Sequence, residues 1–116
     1  MLANDVWKKV EAEIAGDWSL SNAHGVDLTK CLVRPPVLKE YLEQIVLSYK
    51  TDAQGRKVVD QWGERPCELW LVLEEHPDTK QGYEIVYHVE ADIFGLVLCG
   101  GVVGYYGNFR ETLEAM

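Results

Sequence analysis

A chain of 116 residues, 47% apolar and 26% charged, has the size and composition of one globular domain spanning 1–116. That length buries enough surface to fold without metal or disulfide staples. The net charge of −8 sets the chain against phosphate backbones and acidic membranes, so direct nucleic-acid and membrane partners are disfavoured.

The charge is uneven. Residues 1–57 balance eight acids with eight bases, whereas residues 58–116 carry eleven acids against Arg65, Lys80 and Arg110. The start, Met1-Leu2-Ala3-Asn4-Asp5, lacks the basic and apolar regions of a secretory leader. The apolar stretch 93–106 is interrupted by glycines and too short for a bilayer. The expected location is cytoplasmic. Cys31, Cys67 and Cys99 are odd in number and form no C-x-x-C pair, which points to reduced thiols and no cofactor.

Val6, Val10 and Ile14 recur every fourth residue and predict a helix over Asp5–Ala15, capped by Asn4 and ended by Gly16. Asp17 to His24 reads as a polar loop. Val26–Val33 reads as a strand that Pro35-Pro36 ends, because proline cannot donate to a ladder. Residues 36–50 carry both patterns. The expectation is a short helix from Pro36 to about Glu43, then a strand over Gln44–Lys50. Asp52-Ala53-Gln54-Gly55 is a turn, with a return strand Arg56–Trp62.

Glu68–Glu75 is apolar on both faces and reads as a central strand. Tyr83–Glu90 alternates, with Tyr83, Ile85, Tyr87 and Val89 inward. Ile93–Cys99 is a further strand. The glycine run 100–107 reads as turns and a tight bend. A last helix starts at Phe109, with Asn108 as cap and Glu111 three residues on. The expected class is α+β: an antiparallel sheet of about five to six strands with a helix at each end of the chain.

Few motifs carry chemistry. No serine sits in a nucleophile elbow, and the glycine run lacks the Lys-Ser/Thr of a phosphate loop. His88-x-Glu90-x-Asp92 would point to one face if the strand continued, and His88 with Glu90 gives the alternative reading of a small enzyme or metal-binding domain. A solvated outer face explains the same residues, and a catalytic role is not the favoured reading.

Gly16-Asp17-Trp18 ending a helix, a polar loop, and His24-Gly25-Val26 opening a strand resemble one family of immunity proteins from bacterial polymorphic toxin systems. The resemblance covers about the first quarter of the chain, with Ser19-Leu20 where that family is expected to carry Glu-His. It implies a binding protein that neutralises a cognate toxin, here a basic one. Seven acids against Lys80 between residues 68 and 92 fit such a partner. The expected contact residues are Glu74, Glu75, Asp78, Glu84, Glu90 and Asp92, with Trp18 and Trp62 beside them. A regulatory subunit is the remaining alternative.

Overall fold

The computed structural model describes residues 2–14, 25, 27–76, 81–98 and 101–116. Helix α1 spans Ala3–Ile14. It starts earlier than its sequence signals predict, and Asp5 rather than Asn4 serves its first turn, accepting from the Leu2 N–H at 3.0 Å. Val6 and Val10 are fully buried. Residues 29–31 form a 3₁₀ turn. Strands β1 (Leu32–Thr51) and β2 (Lys57–His76) follow, twenty residues each. β3 (Gln81–His88), β4 (Ile93–Leu98) and β5 (Val102–Gly107) are short, and α2 spans Phe109–Glu114.

Several expectations need correction. The strand expected over Val26–Val33 starts only at Leu32, after the 3₁₀ turn. Pro35-Pro36 does not end it. Between the pairs Leu32↔Leu73 and Val37↔Leu71, five steps on β1 face two on β2. The prolines sit in that bulge, where no ladder donor is asked of them. The expected helix Pro36–Glu43 is strand, because β2 supplies an unbroken register from Val37↔Leu71 to Val46↔Trp62. The strands expected at 56–62 and 68–75 are one strand. The glycine run is not all turn: β5 runs through Gly104.

The sheet is not open. Its order β1-β2-β3-β4-β5 closes into a barrel. Four of the contacts are antiparallel, and the closing one, β1 with β5 at Leu42↔Val102 and Glu43↔Val103, is parallel. One apolar cluster draws on all five strands (Tyr41, Leu69, Leu71, Val86, Val97, Val103) and fills the lumen. A second places Val6 and Val10 of α1 and Phe109 and Leu113 of α2 on Ile85, Tyr87, Phe94 and Leu96. Val86 is therefore buried inward, not outward as its alternation implied, since β3 is covered on both faces. The Asn108 cap is as expected: its Oδ1 accepts from the Glu111 N–H at 2.7 Å.

β1 and β2 outrun the barrel. β5 reaches β1 only at residues 42–43, and β3 meets β2 only from Trp70 onward. Residues 44–65 thus form a two-stranded arm with no buried residue. The molecule measures 49 × 29 × 28 Å, and its radius of gyration is 16.1 Å. A compact chain of this length would have about 13 Å. Among the described residues no helix is long and apolar enough to cross a membrane.

Candidate functional site

The chain turns at residues 89–92, so β3 stops at His88 and the His88-Glu90-Asp92 row is broken. Asp92 adopts a left-handed backbone, φ 51°. It turns back to the helix-covered face, accepting from the Tyr87 hydroxyl at 2.5 Å and lying 3.4 Å from Lys9 of α1. The Tyr87 bond and the Lys9 charge hold its carboxyl below the usual range. Burial and that carboxylate push the Tyr87 hydroxyl up to about 12. His88 stays on the other side, its Nδ1 accepting from the Ala91 N–H at 3.1 Å. Among the described residues no three His, Cys, Asp or Glu converge as metal donors.

The expected acidic contacts do not gather on one surface. Glu74 and Glu84 lie directly opposite on β2 and β3. Glu84 is turned inward, its side chain only 13% exposed, 3.5 Å from Lys39 and accepting from the Tyr41 hydroxyl at 3.4 Å. Burial first, then Glu84, pushes the Tyr41 hydroxyl far above its ordinary range. Glu75 takes the Tyr83 N–H at 3.3 Å. Glu90 and Asp92 lie at the far end of β3, roughly 13 Å of strand from Glu84. Trp62 stands exposed on the arm. Asp78 and Trp18 fall outside the described residues.

The structure brings a different set together at the root of the arm. An open groove of about 540 Å³ runs between Glu68, Trp70 and Arg65 of β2 and His88, Val89 and Glu90 of the β3–β4 turn. Its wall is ordered by Glu43, which binds Arg65 at 2.6 Å and the Tyr105 hydroxyl at 3.1 Å. The Tyr105 ring meets His88 edge-on at 5.8 Å. Arg65 holds the Glu43 carboxyl below its ordinary value of 4.5. Burial, then Glu43, pushes the neighbouring Cys67 thiol up, so it is not an activated nucleophile. Glu68 and Glu90 have no basic partner among the described residues. Glu43, Arg65, Glu68 and Tyr105 escape a sequence reading because only strand register unites them.

A depressed folded pKa contributes stability that is present above the unfolded value and lost as pH falls through the folded one. Glu43→Gln is therefore expected to destabilise the protein at neutral pH. The loss should stay below about 1 kcal/mol, since Arg65 is exposed. The gap between the two proteins should start to shrink as pH falls below 4.5 and close once pH has passed the lower folded value. Urea melts at stepped pH check this, and a gap that persists in acid would refute the assignment. Comparison with protein-family models, curated proteins and solved structures finds no match to this chain.

Proposed function

We propose that this chain is a binding and inhibitory protein that takes a basic protein partner in the groove at the root of the arm. One observation carries the reading. Glu68 and Glu90 line an open, partly apolar groove with no described cation on either, beside the apolar surface of Trp70 and Val89. A lysine or arginine entering there would gain two carboxylates and an apolar wall for its stem. The acidic body would steer such a partner and repel nucleic acid. A toxin with a basic cleft, bound by an immunity protein, fits this chemistry and the likeness of residues 16–26. The enzyme reading keeps His88 and Glu90 in one groove but lacks a third group: the turn at 89–92 carries Asp92 to Tyr87 and Lys9, and Cys67 is poorly poised for attack.

Affinity capture from a lysate of the source organism tests the proposal, with a native bait beside a Glu68→Lys/Glu90→Lys bait. One basic protein should be held by the native bait, released by salt, and lost from the reversed bait. Equal retention of that protein by both baits, or no specific capture, would end the groove reading.

A further inference from the structure

The arm exposes an apolar surface that nothing in the described chain covers. Cross-strand partners share a face, so the unbroken register puts Leu42 with Pro66 and Val46 with Trp62 on one side, and Glu40 with Glu68 behind them. Trp62 is 55% exposed and Leu42 38%. A two-stranded ribbon by itself is marginal in water and needs a further layer on its apolar face.

The charges say what that layer is. Near the tip, Arg56 is held by Asp52 at 3.0 Å and Lys50 by Asp60 at 3.7 Å. Lys57 meets no carboxylate among the described residues; its Nζ lies over the Tyr49 ring at 4.3 Å. Toward the body, Glu40 and Glu68 face each other as like charges, and neither they nor Glu64 meets a cation among the described residues. The arm thus carries a free cation at one end and free carboxylates at the other. Two register shifts lie between Trp62 and Lys57, so Thr51↔Lys57 is four ladder pairs from Val46↔Trp62 and Glu40↔Glu68 is six pairs to the other side; both counts are even, which puts Lys57 and Glu68 on the face of Trp62 with Ile45↔Gly63 midway between them. At about 3.3 Å per ladder pair, an antiparallel two-fold through Ile45 and Gly63 sets each Lys57 beside the other copy's Glu40 and Glu68.

We infer that a second copy of this chain covers the arm, in an antiparallel homodimer. The two Trp62 rings flank its desolvated centre, where binding energy concentrates. Lys57 of each copy relieves the Glu40–Glu68 repulsion of the other. The dimer uses the outer face of the arm and shares Glu68 with the groove, whereas Glu90 belongs to the groove alone.

Sedimentation equilibrium of the full chain across the micromolar range tests this, with far-UV circular dichroism as the folding control. The native chain should dimerise, and more weakly in high salt. Trp62→Ser should weaken association at least about tenfold. Lys57→Glu and Glu40→Lys should each weaken it, and an equimolar mixture of the two should recover it, because the mixed dimer holds one native and one reversed pair. The chain carrying both reversals should recover it, because each restored pair then forms across the two-fold. A native chain that stays monomeric, or a double reversal weaker than either single one, would overturn the dimer. Lys57→Glu frees Glu68 and should not weaken capture by the groove, and Glu90→Lys should leave the dimer unchanged, so the two proposals fail separately.

Discussion

Replacing Phe94 by alanine is expected to lower the free energy of unfolding by about 3–5 kcal/mol. Phe94 is 1% exposed, on β4. Its ring lies 4.8 Å from that of Tyr87 on β3 and 5.4 Å from that of Phe109 on α2, the latter nearly edge-on. Removing it leaves a void among three elements, and α2 is too short to move in and fill it. Guanidinium denaturation reads the loss as a lower midpoint at unchanged slope. A loss below about 1 kcal/mol would mean that α2 does not pack on the sheet as described.

Gly95→Val is expected to cost about 1–3 kcal/mol and to loosen the β4–β5 seam. Gly95 pairs with Tyr105 across the β4–β5 seam. A Cβ there would stand 2.7 Å from Val103 Cγ2, 3.1 Å from the Gly104 carbonyl oxygen and 3.2 Å from Tyr105 Cδ1. Those atoms belong to β5, which must shift away to admit a side chain. Hydrogen exchange should therefore quicken over residues 102–107 before the rest of the sheet. Gly104→Ala is the internal control, because a Cβ there meets nothing nearer than 3.8 Å. If both variants lose the same stability, packing at the seam is not what requires Gly95.

The groove and the arm dimer share Glu68 and otherwise rest on different residues. Glu43, Arg65 and Tyr105 stiffen the place where the arm leaves the barrel, so the arm projects from an ordered root. That root places Glu68 at the junction of the groove and the arm's outer face. The paired reversals separate the two uses through Glu90 and Lys57, which lie on opposite sides of that junction.

Local signals were legible in the chain. The α1 stripe Val6-Val10 is read from a four-residue repeat, and the Asn108–Glu111 cap from two residues three apart. The turn at 52–55 comes from Asp52 and Gly55, and the both-faces burial of 69–73 from an apolar run. Each depends on neighbours within a turn or two of backbone, so the sequence carries it directly. The α+β class and the helices at both ends of the chain follow from these.

Tertiary structure decided what depends on register. Residues 36–50 suit helix or strand locally, and only the ladder to β2 selects strand, because pairing stabilises those residues more than their weak helical preference does. Pro35-Pro36 reads as a stop until a bulge removes the need for their N–H groups. Closure into a barrel needs β5 beside β1, some sixty residues apart in the chain. The acidic excess was visible as composition, but its division into an inward Glu84, a helix-bound Asp92 and an open Glu68–Glu90 groove was not. Strand alternation gives a side chain its face, whereas the fold gives that face its neighbours.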